Sequence, residues 1–234
     1  MPRFDVVLFD ADDTLFDFQK SEDFSFRKTF LDCGLSYGMD IKRRYDDING
    51  ALWDEYNRGA IAKEYLEVTR FQRLFGAFGI TRDPDQFNEI YLTNLAENSF
   101  LLVGVEEVCR ALYQECRLAI VTNAVSRVAH RKIEKSSLGQ YISDVFVSDD
   151  IGVQKPMPEF FDHVVSRLRN YDKSRMIVVG DSLTSDIQGG ANSGLATCWF
   201  NPLKKPNSTP ITPTYEIRML AELLPIVGVS IEQE

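Results

Sequence analysis

The sequence predicts an α/β fold, in which a parallel β-sheet core carries helices on both faces and contains an inserted all-helical subdomain. A short apolar run at residues 4–10 has the β-branched composition of a buried strand and ends in an acidic residue. Residues 19–98 then repeat their apolar side chains at intervals of three and four, which is the spacing of helices. Beyond Gly104, short apolar runs alternate with helical segments, and this order is typical of βαβ units.

The segments after the insertion define the expected order of elements. We expect strands at residues 117–122, 145–148, 176–180 and 196–200, and helices at 105–115, 127–136, 158–168 and 185–191. A proline-rich loop at 201–213 precedes a short edge strand at 215–217 and a last helix at 219–224. The architecture is Rossmann-like, with residues 1–16 and 100–234 in a core domain and residues 17–99 in a helical cap domain.

Length and composition limit the classes of function. A chain of 234 residues can bury a core without disulfides or a structural metal. Its formal net charge of −9 has the wrong sign for binding a nucleic-acid polymer or an anionic membrane surface. No apolar run approaches the roughly 20 residues that span a bilayer, and the N-terminus lacks the features of a signal peptide. We therefore expect a cytoplasmic monomer or homodimer that acts on small molecules.

Polar residues are concentrated where four of the predicted strands end. The segments are residues 10–14, 122–123, 155–156 and 180–186. Each of them alone could be a turn or a helix cap. Ligands of parallel α/β sheets bind at the carboxyl ends of the strands, so four such segments at equivalent positions indicate a functional site.

The residue types in these segments indicate phosphoryl chemistry. Clustered carboxylates without histidine or cysteine select a hard cation such as Mg²⁺, which neutralises both a carboxylate nucleophile and a phosphate dianion. Lys155 and backbone N–H groups could hold the remaining negative charge. A carboxylate two residues from the nucleophile can protonate the leaving oxygen and later activate water. An aspartyl-phosphate would divide the reaction into two accessible steps.

The four segments resemble the motifs of the haloacid dehalogenase superfamily, in the group whose helical cap follows the first strand. The resemblance covers essentially the whole chain. It implies that Asp10 is the nucleophile and Asp12 the general acid/base. It also implies that Thr122 and Lys155 are catalytic residues that steady the phosphoryl group.

The same resemblance implies a Mg²⁺ site. Asp10, the backbone carbonyl of Asp12 and Asp181 would hold the ion, with Asp186 as a supporting acid. One residue departs from the family pattern, because Asp13 stands where the family usually has glycine. Aspartate tolerates a positive φ better than most residues, so we expect the turn to be kept and the extra carboxylate to alter the local field.

Asp12 helps to choose between reactions, because superfamily members that resemble dehalogenases lack an acid at this position. Residues 9–16, 52–61, 195–201 and 213–215 further resemble the house-cleaning and pyrimidine 5′-nucleotidase branch. This likeness implies a phosphatase that acts on nucleoside 5′-monophosphates. The alternatives are a phosphosugar phosphatase or mutase and, more remotely, a 2-haloacid dehalogenase or a non-enzymatic phospho-acceptor module.

Several residues are candidates for contacts with the substrate. Aromatic faces can sandwich a base, and the candidates for pocket walls are Phe16, Phe18, Trp53 and Tyr56. The alternative is that these rings are core residues, which is the usual role of aromatics at helical spacing. Arg58 lies in an expected loop between cap helices that could either reach the substrate or form an ordinary solvated helix end. Asn123 is a candidate for a polar contact beside the phosphate.

Overall fold

The computed structural model describes residues 2–229, which fall into two compact units. The first, which we call the core unit, runs to Phe18 and resumes at Ser99, and the second, the cap unit, spans Gln19–Asn98. The first boundary expected from the sequence, between residues 16 and 17, lies two positions before the observed one. The second, between residues 99 and 100, lies one position after it. Among the described residues, no helix has the length and apolar character needed to cross a membrane.

A six-stranded sheet forms the centre of the core unit, and its strand pairs are all parallel. The strands are β1 (Val6–Phe9), β2 (Arg117–Thr122), β3 (Ile142–Val147), β4 (Met176–Gly180), β5 (Ala196–Phe200) and β6 (Tyr215–Ile217). Their order in the sheet is β3-β2-β1-β4-β5-β6, so the chain extends the sheet first to one side of β1 and then to the other. The carboxyl end of β1 is therefore the topological switch point, where ligands bind in such sheets. The predicted α/β, Rossmann-like fold class is confirmed.

The cap unit is built from helices around an aromatic core. Its helices are α1 (Phe18–Asp32), whose first residue still belongs to the core unit, α2 (Met39–Asn57), α3 (Lys63–Phe78) and α4 (Pro84–Glu97). The rings at its centre, each at most 2% exposed, are those of Phe26, Tyr45, Phe71, Phe87 and Tyr91. Glu22 lies among them and accepts hydrogen bonds from the hydroxyls of Tyr45 and Tyr91 at 3.2 and 3.3 Å. Most of the aromatic residues of the cap unit therefore form the hydrophobic core of that unit.

Helices cover both faces of the sheet in the core unit. They are α5 (Val105–Tyr113), α6 (Ser126–Lys135), α7 (Ser148–Ile151), α8 (Pro158–Arg167), α9 (Gln188–Asn192) and α10 (Leu223–Val227). On β1, Val7 and Phe9 pack in one cluster with side chains of α5 and α10, whereas Val6 and Leu8 pack in another with side chains of α8. This alternation with a period of two is expected of a central strand with both faces buried. Each such side chain contributes about 1.5–3 kcal/mol through burial.

The predicted strand at 145–148 differs from the structure, and so does the predicted helix at 219–224, because α10 runs over Leu223–Val227. β3 runs over Ile142–Val147, and Ser148 already begins α7. The start of β3 is polar because this strand lies at the edge of the sheet, where Asp144 accepts a hydrogen bond from Nε of Arg117 at 2.7 Å. An apolar pattern cannot reveal such a segment. The predicted helices at 105–115 and 185–191 are also corrected, since α5 ends at Tyr113 and a wide turn, Leu183–Ile187, precedes α9.

Candidate active site

Lys155 lies at the centre of the polar groups that gather at the carboxyl end of β1. Its ammonium group donates hydrogen bonds to Oδ1 of Asp10 at 2.6 Å, to Oδ1 of Asp186 at 2.6 Å and to the carbonyl oxygen of Val121 at 2.7 Å. These bonds use all three N–H donors of a lysine. Burial opposes the charge on this side chain, but the carboxylates of Asp10 and Asp186 raise the pKa of Lys155 above its usual range. The lysine is therefore charged and fixed in one orientation.

Asn123 holds the backbone of Lys155 in place. Its Nδ2 donates to the carbonyl oxygen of Lys155 at 2.9 Å, and its Oδ1 accepts from the N–H of Lys155 at 2.9 Å. Because Asn123 follows β2, this amide ties the end of the strand to the loop that carries the lysine. The structure thus gives Asn123 a positioning role, and its contact with a substrate stays a prediction. The neighbouring Thr122 is 2% exposed, and its Oγ1 accepts from the N–H of Ala124 at 3.1 Å.

Asp10, Asp181 and Asp186 form an acidic group at the same place. One carboxylate oxygen of each lies within 4.8 Å of the others. Burial, with smaller contributions from Asp186 and Asp12 and opposed by Lys155, raises the pKa of Asp10 to about 7. Burial and then the charges of Asp10, Asp186 and Asp13 raise the pKa of Asp181 to about 8. Crowded carboxylates with raised pKa values and oxygen donors alone fit a hard divalent cation, which would favour their ionised forms.

The end of β4 is shaped so that Asp186 can approach the sheet. A Cβ atom at Gly180 would lie 2.2 Å from Oδ2 and 2.3 Å from Cγ of Asp186, so only glycine fits there without displacing the carboxylate. The N–H of Ser182 donates to Oδ2 of Asp186 at 3.1 Å. Nε1 of Trp199 donates to the carbonyl oxygen of Asp181 at 2.8 Å and so holds the backbone of this residue. Side chains and backbone groups from β4, β5 and the following turn together position the two acids.

The turn after β1 keeps the expected conformation although it carries Asp13. This residue has φ of +59°, in the left-handed region that favours glycine. Its N–H donates to the carbonyl oxygen of Phe16 at 2.7 Å, and its Oδ1 accepts from the N–H of Phe18, the first residue of α1, at 3.0 Å. The extra carboxylate also contributes to the raised pKa of Asp181. The turn is therefore preserved as expected, and an effect of the extra carboxylate on the local field stays a prediction.

Lys132 is a residue of the site that sequence analysis missed. Its ammonium group donates to Oδ1 of Asp12 at 2.6 Å, and its side chain is 2% exposed whereas that of Asp12 is 26% exposed. The residue lies on the buried face of α6, between Ala129 and Ile133. A lysine at a position of the apolar stripe, where an aliphatic side chain is expected, is a signal that could have revealed it.

A family model provides the decisive comparison. The model for haloacid dehalogenase-like hydrolases matches residues 4–194. The chain belongs to this family of hydrolases. The resemblance recognised from the strand-end segments is therefore confirmed, and the protein is an enzyme of the hydrolase class.

Relatives of this hydrolase align over almost their whole length. The HAD-hydrolase YfnB from Bacillus subtilis is 39% identical over 98% of this chain and 97% of its own. A crystal structure of YfnB bound to magnesium has a TM-score of 0.91, covering 97% of this chain and 99% of that one. The pyrimidine 5′-nucleotidase YjjG from Escherichia coli is 32% identical over 94% of this chain and 96% of its own. The pyrimidine 5′-nucleotidase PynA from Streptococcus pneumoniae is 33% identical over 93% of this chain and 92% of its own.

The predicted substrate-binding residues of this hydrolase lie in both units. Phe16 is 1% exposed and belongs to a hydrophobic cluster of the core unit. In the cap unit, the rings of Trp53 and Tyr56 meet edge to face with centroids 5.6 Å apart, and Nζ of Lys63 lies 5.1 Å from the centroid of Tyr56. Arg58 is exposed in the connection after α2. Packing accounts for the position of Phe16, and contact of any of these side chains with a substrate stays a prediction.

Proposed function

We propose that this hydrolase is a Mg²⁺-dependent phosphatase that cleaves small phosphate monoesters through an aspartyl-phosphate on Asp10. The observation that carries the proposal is that two carboxylates, two residues apart, bind two different lysines. Asp10 binds Lys155 and Asp12 binds Lys132, each at 2.6 Å. A nucleophile and a general acid/base need carboxylates in different surroundings, and this arrangement supplies them.

The proposed reaction assigns one role to each of these residues. Asp10 attacks phosphorus, so that a P–O bond to its carboxylate forms while the bond to the leaving oxygen breaks. Asp12 gives a proton to the leaving oxygen, and an alcohol departs. Asp12 then takes a proton from water, whose oxygen attacks phosphorus and displaces the carboxylate of Asp10. Lys155 holds Asp10, and its positive charge, together with Thr122, would stabilise the phosphoryl oxygens.

The acidic group is the proposed site of Mg²⁺. Asp10, Asp181 and the backbone carbonyl of Asp12 would hold the ion, with Asp186 as a supporting acid. When bound, Mg²⁺ supplies positive charge that neutralises the carboxylates and the phosphoryl oxygens. Two observations support this assignment, the oxygen-only donor group in this chain and the magnesium-bound crystal structure of YfnB.

We further propose that the substrate is a nucleoside 5′-monophosphate. The support comes from YjjG and PynA, two pyrimidine 5′-nucleotidases that align with more than nine tenths of this chain. The acid at position 12 also favours release of an alcohol over cleavage of a carbon–halogen bond, in which no alkoxide leaves. The predicted contacts of Trp53, Tyr56, Arg58 and Asn123 with the substrate belong to this proposal.

The test is release of inorganic phosphate from a panel of nucleoside 5′-monophosphates and sugar phosphates, with halide release from 2-haloacids measured in parallel. We expect nucleotides to give the highest kcat/KM, and activity to disappear with EDTA and in Asp10→Asn. Preference for a sugar phosphate would support phosphatase activity but overturn the assignment of a nucleotide as the substrate. Halide release without phosphate release, or full activity of Asp10→Asn, would overturn the proposed reaction.

A further inference from the structure

The environment of Lys132 is built to hold an ammonium group in one place. Its side chain is 2% exposed, and a buried lysine is strongly unfavourable unless it is paired. The pairing group is Oδ1 of Asp12, at 2.6 Å. Lys132 projects from α6, which begins four residues after the end of β2, so its backbone is anchored to the central sheet.

Two aromatic rings contribute to this environment. Nζ of Lys132 lies 5.5 Å from the ring centroid of Phe16 and 5.2 Å from that of Phe18, within the distance of a cation–π interaction. Phe16 belongs to the same turn as Asp12, and the two residues form an isolated parallel bridge. The rings attract the ammonium group and limit access of water, whereas Asp12 accepts its directional hydrogen bond. The position of Lys132 therefore defines the position of one carboxylate oxygen of Asp12.

The two buried lysines of the site have separate partners. Lys155 donates to Asp10 and Asp186, which belong to the acidic group, and Lys132 donates to Asp12. Asp12 is partly exposed, so without Lys132 its carboxylate could turn between several rotamers in contact with water. Removal of Lys132 should therefore disturb Asp12 and leave the neighbouring carboxylate of Asp10 in place.

We propose that Lys132 is a positioning residue for proton transfer, which holds Oδ1 of Asp12 so that Oδ2 faces the leaving oxygen. This inference rests on the proposed function, in which Asp12 exchanges protons with the leaving group and with water. Lys132 does not touch the reacting atoms in this scheme. Misplacement of a catalytic group by about 1 Å can lower a rate about 100-fold, so the effect should be readily measured.

The experiment compares Lys132→Met with the wild-type enzyme on two substrates, a nucleoside 5′-monophosphate and p-nitrophenyl phosphate. Nitrophenolate leaves without protonation, so the first step, in which the aspartyl-phosphate forms and nitrophenolate is released, needs Asp10 but not Asp12. We expect Lys132→Met to release one nitrophenolate per enzyme in a burst at a rate within about 3-fold of wild type. The following turnover, and the single-turnover rate on the nucleotide, should fall about 10- to 100-fold because both require a positioned Asp12.

Three further variants complete the design. Asp12→Asn should show the same pattern, and the double variant Asp12→Asn/Lys132→Met should be no slower than Asp12→Asn, because the two residues act as one unit. Lys132→Arg keeps a charged donor and should recover part of the nucleotide rate, which also provides a test if Lys132→Met fails to fold. Lys135→Met, which removes an exposed lysine from the same helix, is the matched control and should retain wild-type rates.

The outcomes separate this inference from the proposed function. If the wild-type enzyme releases no phosphate from any substrate, the proposed function fails. If the wild-type enzyme is active, equal loss of the burst and of later turnover in Lys132→Met would show that Lys132 supports Asp10 or the fold as a whole. Unchanged nucleotide hydrolysis in Lys132→Met, or a further loss in the double variant, would likewise overturn the positioning role.

Discussion

Nζ of Lys155 lies 2.6 Å from Oδ1 of Asp10, and their side chains are 1% and 11% exposed. The same ammonium group binds Asp186, while Asp181 contributes a third carboxylate within 4.8 Å. One buried lysine thus neutralises only part of the charge of three neighbouring acids. Burial first, and then this imbalance of charge, raises the pKa values of Asp10 and Asp181, and a divalent cation would complete the electrostatic environment.

Lys155→Met tests how far this lysine supports both the fold and the reaction. Removing one partner of a buried charge cluster leaves Asp10 and Asp186 without their donor, so we expect the free energy of unfolding at pH 7.5 to fall by about 3–5 kcal/mol. Phosphate release should fall at least about 100-fold, because the nucleophile loses its orientation. Urea unfolding and phosphate release measure the two effects. A loss of stability below about 1 kcal/mol would contradict the tightly coupled cluster inferred here.

Addition of Mg²⁺ should stabilise the protein, and more strongly at pH 8 than at pH 5.5. An acid whose pKa is raised on folding, such as Asp10 or Asp181, binds more protons in the native state, so stability without metal falls as pH rises from about 4 to about 8. A cation that binds the ionised carboxylates removes this loss. At 100 times its Kd the gain is about 2.7 kcal/mol.

The measurement for this prediction is thermal unfolding with Mg²⁺ or EDTA at the two pH values. Asp181→Asn is the comparison, because it removes one charged oxygen donor and should reduce the shift in Tm caused by Mg²⁺. An Mg²⁺-induced shift of equal size in the variant, or one that decreases from pH 5.5 to pH 8, would argue against the acidic group as the metal site.

Gly180→Ala should displace Asp186 without removing any functional group. The new Cβ would lie 2.2 Å from Oδ2 of Asp186, so the carboxylate must move and its bond to Lys155 must lengthen or break. Overpacking of this kind costs about 1–3 kcal/mol, and we expect activity to fall at least about 10-fold. Gly76→Ala is the matched control, because that glycine lies in α3 and, apart from adjacent residues and the backbone of its own helix, no atom lies within 4 Å of its Cβ position. The control should be neutral or stabilising by up to about 1 kcal/mol, with activity retained.

The parts of the site that the sequence could predict are those set by short local patterns. Asp10 and Asp181 directly follow buried strands rich in β-branched residues, and Thr122 ends one. Their common position at the carboxyl ends of the strands therefore follows from the alternation of strands and helices. The signal for Lys132, a lysine within an apolar helical stripe, does not identify its partner. Lys132 lies ten residues beyond Thr122, and only the three-dimensional packing of α6 brings its ammonium group to Asp12.

Asn123 and the cap aromatics show a second limit of sequence analysis. The type of a side chain indicates which contacts it can make, but its partner depends on tertiary geometry. The amide of Asn123 could bind a phosphate or a backbone, and the structure pairs it with the backbone of Lys155. Aromatic residues such as Phe26 and Tyr45 could stack on a base or on each other, and in the cap unit their ring centroids lie 4.3 Å apart.

Substitutions of Asp13 should separate the effects of its backbone conformation and its carboxylate. Asp13→Ala places a side chain that disfavours positive φ at +59° and removes the acceptor for the N–H of Phe18, so we expect a loss of about 1–3 kcal/mol. Asp13→Gly removes the same acceptor but relieves the backbone, and Asp13→Asn keeps both features. Urea unfolding should therefore rank the variants Asn, Gly and Ala from most to least stable. An alanine variant as stable as the asparagine variant would contradict this explanation of the turn.

Asp5 and Arg175 should give the fold a pH-dependent contribution remote from the site. Nε and Nη2 of Arg175 donate to the two oxygens of Asp5, both at 2.6 Å, and this hydrogen bonding holds the pKa of Asp5 below its usual range. An acid whose pKa is lowered on folding stabilises the native state above its unfolded pKa and loses that effect as pH falls through the folded value. Both side chains are about one third exposed, so screening by solvent keeps the contribution small. Asp5→Asn should therefore be less stable than wild type at pH 7, with a difference that shrinks toward about pH 3, as measured by urea unfolding across this range.

Arg175→Gln should show the same pH dependence, and in the double variant the two losses should not add, since each single substitution already breaks the pair.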